Sequence, residues 1–139
     1  MLNLSYSHAH FSGVTSSLNI QDEIALFTVS NDSATARTFI LDVSDLTAPT
    51  KIGESRLSGS AYSMVIADEL AYVRTDDPGF DRTIRLEIFD ISNPLRPIPV
   101  ASTNFGVSQV TLTHNGYLIM SDFRRGLQLF YWPFQNNDD

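Results

Sequence analysis

The sequence contains no cysteine among its 139 residues. Disulfide bonds, thiolate metal sites and a cysteine nucleophile are therefore excluded. Basic residues are also few, since nine Lys and Arg stand against 16 Asp and Glu and the net charge is −7. A chain with this charge balance lacks the basic face that nucleic-acid phosphates and anionic lipid headgroups attract. We therefore expect no nucleic-acid partner.

Long hydrophobic runs are missing as well. The apolar segments are far shorter than the roughly 20 residues that a membrane-spanning helix needs, so we expect no membrane insertion. The first residues, MLNLSYSHAH, lack a basic segment followed by an apolar one, and no signal peptide is visible. With 42% hydrophobic and 18% charged residues, the composition is that of a globular domain.

What the sequence does contain is an internal repeat. DVSDLTAPTKIGES begins at Asp42, and DISNPLRPIPVAST begins at Asp90, 48 residues later. Upstream, IQDEIALFTV (20–29) matches IADELAYVRT (66–75) at an offset of 46, and LTHNGYLIMS (112–121) matches again at a further 46 or 47. A period of about 46 residues indicates a repeat architecture.

Each repeat unit holds four short apolar runs. In the middle unit Ile84, Leu86 and Ile88 alternate with polar residues, which is the period of a strand and not of a helix. Asp, Asn, Gly, Pro and Ser punctuate the runs, as they do in turns. The sequence therefore predicts an all-β protein with four antiparallel strands per unit, which is the blade of a β-propeller.

The repeated motif also has a structural interpretation. Asp45 and Asn93 open the turns DLTAP and NPLRP, which follow the third strand of their units, and a proline in each turn ends the strand pairing. Aspartate and asparagine side chains in such turns accept hydrogen bonds from backbone amides two residues on. We therefore expect the motif to shape a turn.

The segments FILDVSDLTAPTKIGES and LEIFDISNPLRPIPVAS resemble the LVIVD repeat, in which an apolar strand leads into Asp-Val-Ser-Asp-Pro and a Pro-Val strand. The third copy departs from this pattern, because Tyr131 stands where the aspartate is expected. The resemblance implies a β-propeller of the kind found in exported or cell-surface proteins. That family carries no single activity, so the resemblance implies no catalytic residue and no cofactor.

The ends of the chain predict a split blade. Tyr6 aligns with Ile52 and Val100, which places the N-terminal segment in the position of a fourth strand. We expect a half β-propeller over residues 1–134 with three blade-equivalents. Its parts are the fourth strand of the split blade (1–11), blade 1 (12–57), blade 2 (58–104) and the first three strands of the split blade (105–134), before a polar tail (135–139).

Three blades cannot close a ring, since propellers have about 4–8. One solution joins two chains head to tail into a six-bladed ring, with each N-terminal strand completing the partner's last blade. The other makes the sequence a segment of a longer propeller protein. We favour the homodimer, and its candidate interface residues are Tyr6, Phe130, Trp132 and Phe134.

Two groups of residues are weak metal candidates. His8 and His10 have the i, i+2 spacing that can hold zinc, but no third ligand lies nearby in the sequence. Asp76, Asp77 and Asp81 could offer oxygens to calcium, but they lack the spacing of a calcium loop. A solvent-facing strand and an ordinary connection explain these residues more simply. We therefore expect neither a metal nor another cofactor.

The chemistry of the chain favours binding over catalysis. No Gly-x-Ser-x-Gly motif and no Gly-rich phosphate loop occur. The predicted innermost strands offer neutral polar groups: Asn19, Gln21, Ser63, Gln109, Thr111 and Thr113. The leading hypothesis is a non-enzymatic scaffold or binding module that presents loops and a central channel to a small ligand or protein partner. The alternatives are a hydrolase or lyase with its site at the ring centre, or a segment of a longer exported propeller.

Overall fold

The computed structural model describes residues 13–30, 36–76, 84–104, 107–112, 117–122 and 125–131. Within these ranges all regular structure is β-strand, and no helix occurs. The strands are β1 (Val14–Gln21), β2 (Ile24–Ser30), β3 (Ala36–Asp42), β4 (Thr50–Arg56), β5 (Ser60–Ala67), β6 (Leu70–Asp76), β7 (Ile84–Asp90), β8 (Ile98–Thr103), β9 (Val107–Leu112), β10 (Tyr117–Asp122) and β11 (Gly126–Tyr131).

The strands form three antiparallel sheets in chain order. Sheet I contains β1 to β4, sheet II contains β5 to β8, and sheet III contains β9 to β11. Inside each sheet every strand pairs with its neighbour in sequence, so all the connections are hairpins. The prediction of an all-β chain is confirmed, and so is that of four-stranded antiparallel sheets for sheets I and II, while sheet III has three described strands.

The sheets pack on one another through their first strands. β1 contacts β5, and β5 contacts β9, so sheet II lies between the other two. In sheets I and II, we call the face that points to the next sheet in the chain the front face, and the opposite one the back face. In sheet III, the back face points to sheet II and the front face points away from it. Sheet II is the only one of the three with described sheets against both of its faces.

The first apolar core joins the front face of sheet I to the back face of sheet II. Its buried members from sheet I include Leu26 and Ile40, and those from sheet II include Met64, Val73 and Phe89. Because side chains alternate along a strand, only every second residue of β6 belongs to this core. The other residues of β6 serve the second core.

The second core joins the front face of sheet II to the back face of sheet III. Tyr72, Leu86 and Ile88 come from sheet II, and Leu118 and Met120 come from sheet III. A strand with neighbours on both faces needs apolar residues on both. This explains why β6 reads as the nearly continuous apolar run LAYV.

The pairing register repeats from sheet to sheet. The first strand bulges at Ser16 in sheet I and at Tyr62 in sheet II, and the β9–β10 ladder shifts at Ser108. These positions are 46 residues apart. The second strands of sheets II and III follow a different offset, because the counterpart of Ala71 is Leu118, 47 residues later. The connection between β9 and β10 therefore holds one more residue than the connection between β5 and β6.

The hairpin that joins the first strand to the second has the same form in sheets I and II. Asp22 and Asp68 begin two-residue connections and have positive φ angles of 54° and 52°. An L-residue adopts this conformation at a cost, and aspartate tolerates it better than most.

Among the described residues, no helix is long and apolar enough to cross a membrane.

Candidate functional site

The repeated Asp motif forms the same turn in sheets I and II. The Asp42 Oδ1 accepts a hydrogen bond from the Ser44 amide at 2.9 Å, and the Asp90 Oδ1 accepts one from the Ser92 amide at 2.9 Å. A second cap follows three residues later, where Asp45 Oδ1 accepts from the amide and the hydroxyl of Thr47. Asn93 caps its own turn in the same way, so the capping predicted for Asp45 and Asn93 is confirmed.

These hydrogen bonds shift the acidity of the aspartates. The contacts with Ser44 lower the pKa of Asp42, and those with Ser92 lower the pKa of Asp90. The contacts with Thr47 lower the pKa of Asp45 in the same way. A carboxylate that accepts amide hydrogen bonds is stabilised in its charged form. The charged aspartates therefore help to hold these turns in shape.

A close backbone contact locks sheet I to sheet II. Gly53 of β4 faces the carbonyl group of Pro94, in the turn between β7 and β8, so closely that no Cβ fits between them. The equivalent residue of sheet II is Ala101, which packs at the edge of the second core. The motif turn of sheet II therefore serves as a spacer for the sheet before it.

A polar clamp strengthens the same junction. The carboxylate of Glu87 accepts hydrogen bonds from the amide and hydroxyl of Ser58, at 3.0 and 2.7 Å, and from the hydroxyl of Thr75 at 2.8 Å. Ser58 lies in the link between sheets I and II, whereas Thr75 is fully buried in β6. The residues equivalent to Glu87 are Phe39 in sheet I and Gln128 in sheet III.

The bulged first strand of sheet II presents the most distinctive polar cluster. Tyr62 is 52% exposed, and the guanidinium carbon of Arg74 lies 5.0 Å from the centre of its ring. Arg74 also forms an ion pair with Asp76 at 3.1 Å. Nearby, the hydroxyl oxygen of Ser63 is buried and finds no hydrogen-bond partner among the described residues.

The corresponding cluster in sheet I is smaller. The bulged residue Ser16 shares a hydrogen bond of 2.8 Å with Thr28, which is the counterpart of Arg74. A β-bulge re-aims the side chain of the extra residue, and bulges are common beside binding sites. The repeated bulge thus brings a different side chain to the same place in successive sheets.

The front face of sheet III is apolar and uncovered. Leu127 and Leu129 are 67% and 61% exposed, and Tyr117 on the same face is also exposed. The register shows that Leu127 and Leu129 correspond to Leu86 and Ile88 of sheet II, which are almost completely buried against sheet III. This face therefore has the composition of a core, and none of the described sheets covers it.

The back face of sheet I is uncovered along β1. Leu18 is 61% exposed, whereas its counterpart Met64 in sheet II is 5% exposed because sheet I covers it. Ile20 lies on the same face and is also exposed, while Phe27 on β2 is buried and stacks on Phe39. The uncovered apolar part of this face is thus the stripe on β1.

Charged residues form the outer rim of that face. Lys51 and Arg37 both pair with Glu54, at 3.0 and 3.2 Å, and the Lys51 ammonium lies 5.5 Å from the ring centre of Phe39. The hydrogen bond from Lys51 is the main cause that lowers the pKa of Glu54. The polarity of the face thus changes from apolar at β1 to charged at β4.

Most of the residues that the sequence marked as metal or interface candidates lie outside the described ranges: His8, His10, Asp77, Asp81, Tyr6, Trp132 and Phe134. Asp76 is described, and its carboxylate pairs with Arg74. Phe130 is described only by its place in β11. Within the part of the chain that the structure describes, no three His, Asp or Glu residues form a group that could hold a metal ion.

Sequence reasoning missed two of these features. The pairing of Tyr62 with Arg74 depends on a bulge, and the alternation of residues gives no sign of where a ladder slips. The clamp at Glu87 gave no signal in the sequence, because Glu87 falls on a polar position of the alternating strand IRLEIFD. Its partners come from the preceding sheet link and from β6, and only the folded chain brings them together.

Comparison with known proteins adds information on the fold alone. No known protein family matches this chain, and no curated protein does. Among solved structures, the computationally designed Ika4 protein is similar, with a TM-score of 0.52 and 8% sequence identity over 94% of this chain and 99% of that chain.

Proposed function

We propose that this chain is one half of a β-propeller and that the assembled ring is a non-enzymatic scaffold or binding module. The observation that carries the proposal is the stacking of the sheets in chain order, with β1 beside β5 and β5 beside β9. Blades that radiate from an axis have their first strands adjacent to one another in this way. The resemblance of the repeated segments to the LVIVD repeat supports the same architecture.

The proposed ring contains two copies of the chain. Three sheets are fewer than the roughly four to eight blades that close a propeller. Both ends of the stack keep exposed apolar residues, on β1 and on β11. Two chains related by a two-fold axis would supply six sheets and leave no end of the stack free.

The proposed binding surface lies at the bulged ends of the first strands. In a ring these ends surround one mouth of the central channel, so Ser16 and Tyr62 of both chains would converge there. An exposed tyrosine ring backed by a guanidinium offers one face for stacking. Rigid strands would position this surface, as they do in many binding proteins.

Light scattering behind a sizing column tests the assembly. We expect a single species of twice 15.5 kDa, and small-angle scattering from that species should fit a closed disc. A stable monomer would contradict the six-bladed ring. Large polydisperse material would instead favour a longer propeller from which sheets are missing.

A ligand screen by thermal shift tests the binding role. We expect at least one small polar or aromatic compound to raise the melting temperature of the wild-type protein and not that of a Tyr62→Ala variant. A Leu46→Ala variant, changed at an exposed turn residue of sheet I, is the matched control and should keep the response. Turnover of a stabilising compound would instead favour the hydrolase or lyase alternative.

A further inference from the structure

The two junctions inside the chain follow one rule. Each joins the front face of one sheet to the back face of the next, and the second and third strands of the earlier sheet contact the first strand of the later one. In the first junction Leu26 of β2 and Ile40 of β3 pack in one cluster with Met64 of β5. A front face of this chain is thus complementary to a back face of this chain.

Among the described sheets, two faces remain after these junctions are made. They are the front face of sheet III and the β1 stripe on the back face of sheet I. Leu129 of sheet III, Ile88 of sheet II and Ile40 of sheet I occupy the same position of the repeat. Leu18 of sheet I occupies the same position as Met64 of sheet II. The uncovered residues Leu129 and Leu18 therefore correspond to Ile40 and Met64, which both belong to the first core.

We infer that the front face of sheet III binds the β1 stripe of sheet I in a second copy of this chain, with Leu129 against the partner copy's Leu18. This inference rests on the proposed propeller and identifies the surfaces that close it. Ile119 is the counterpart of Leu26, and Ile20 is the counterpart of Ile66. These two residues extend the same contact along β10 and β1.

The chemistry of the two surfaces favours a second copy over an unrelated partner. Leu129 and Leu18 are each 61% exposed. Removing exposed apolar side chains of this size from water lowers the free energy, so a contact between them is favourable. Each face already meets a homologous version of the other inside the chain, so the apolar positions of the two faces correspond through the repeat. A second copy presents both faces at once, which closes the contact in both directions.

The junction between copies differs from the first internal junction in its polar contacts. Inside the chain, Glu87 on the back face of sheet II holds Ser58 of the sheet link. On the back face of sheet I the same position is Phe39, which stacks on Phe27. Apolar packing therefore dominates the contact between copies, with the ion pairs of Glu54 at its outer limit.

Cysteine crosslinking tests the pairing directly, because the natural chain has no cysteine to interfere. A Leu18→Cys/Leu129→Cys double variant treated with a short bismaleimide should convert most of the protein into a covalent dimer on a denaturing gel. Each single variant should stay monomeric on the same gel. A Leu95→Cys/Leu129→Cys variant is the matched control, since Leu95 is 68% exposed but lies in the turn after β7, and it should not crosslink.

The outcomes separate the pairing from the ring. Crosslinking of the Leu18→Cys single variant would mean that two copies meet back to back, and it would overturn the inference. A dimer by light scattering whose double variant does not crosslink would overturn the pairing and leave the two-chain ring standing. A monomer by light scattering would overturn both.

A second variant avoids dependence on the crosslinker. Leu129→Arg places a charge in the centre of the contact, and light scattering should show the mass of one chain in place of two. Leu95→Arg adds the same charge at a similarly exposed leucine and should keep the mass of the wild-type protein. Circular dichroism that shows unchanged β-structure in both variants makes the comparison valid, and an unchanged mass in Leu129→Arg would contradict the inference.

Discussion

Gly53 and the carbonyl oxygen of Pro94 meet at the junction of sheets I and II, where a strand of one sheet lies directly against the motif turn of the next. The counterpart of Gly53 in sheet II is Ala101, which carries a Cβ at the edge of the second core. At this repeat position sheet I has a glycine that lies against the Pro94 carbonyl group, and sheet II has an alanine that lies at the edge of the second core. The spacing between sheets I and II therefore depends on Gly53.

The first prediction concerns that contact. Gly53→Ala should lower the free energy of unfolding by about 1–3 kcal/mol, because the new methyl group must displace a backbone carbonyl. Urea titration followed by circular dichroism measures the change. Ala101→Gly is the matched variant and should lower stability by only about 0.5–1 kcal/mol. Equal losses in the two variants would contradict the assigned contact.

The second prediction concerns the polar clamp. Glu87→Ala should lower the free energy of unfolding by about 1–3 kcal/mol, because it leaves the buried hydroxyl of Thr75 without its acceptor. Glu87→Gln keeps an acceptor oxygen and should lose less. Removing the exposed carboxylate in Glu54→Ala should change stability by at most about 1 kcal/mol. A loss in Glu54→Ala as large as that in Glu87→Ala would argue against the clamp.

The third prediction concerns pH. The pKa values of Asp42 and Asp90 lie below their usual 3.8 in the folded chain, because each carboxylate accepts hydrogen bonds from the serine two residues on. The stability that they contribute is therefore fully present above pH 3.8, falls as the unfolded chain takes up protons, and is lost once pH drops below the folded pKa values. The unfolding free energy of Asp42→Asn/Asp90→Asn should depend less steeply on acid pH than that of the wild-type protein. Identical pH profiles would refute this role.

The fourth prediction concerns the hairpin between β5 and β6. Asp68 has a φ of 52°, so Asp68→Gly should remove strain and raise the unfolding free energy by roughly 0.5–1 kcal/mol. Glu69→Gly, one residue later, lacks a positive φ to relieve and should be neutral or destabilising. Differential scanning calorimetry measures both. A lower melting temperature in Asp68→Gly than in Glu69→Gly would contradict the strain argument.

The removal of Asp68 also tests an electrostatic contact. Burial is the main cause that raises the pKa of the Tyr72 hydroxyl, and the charge of Asp68 adds to it. In Asp68→Asn the tyrosine should therefore titrate at lower pH than in the wild-type protein, although still above its usual 10.0. Ultraviolet difference titration detects tyrosinate and checks the direction, and an unchanged titration would show that burial acts alone.

Much of the fold was predictable from the sequence because strand periodicity and turn chemistry are local. The alternation in Ile84, Leu86 and Ile88 predicted a strand, and the Asp45 and Asn93 side chains predicted capped turns. The candidate site was less accessible to prediction. Tyr62 meets Arg74 only because the ladder slips between Ala61 and Ser63, and that slip depends on packing between strands.

The sequence by itself determined the strands, the turns and the period of the repeat, since these depend on residues close together in the chain. The third repeat could be aligned at an offset of 46 or 47, and the tertiary structure decided between them by turning Leu118 and Met120 toward sheet II. The same choice leaves Leu127 and Leu129 facing outward. A shift of one residue in a strand reverses which side chains each face presents, so only the packing of one sheet on another could settle which surfaces are covered.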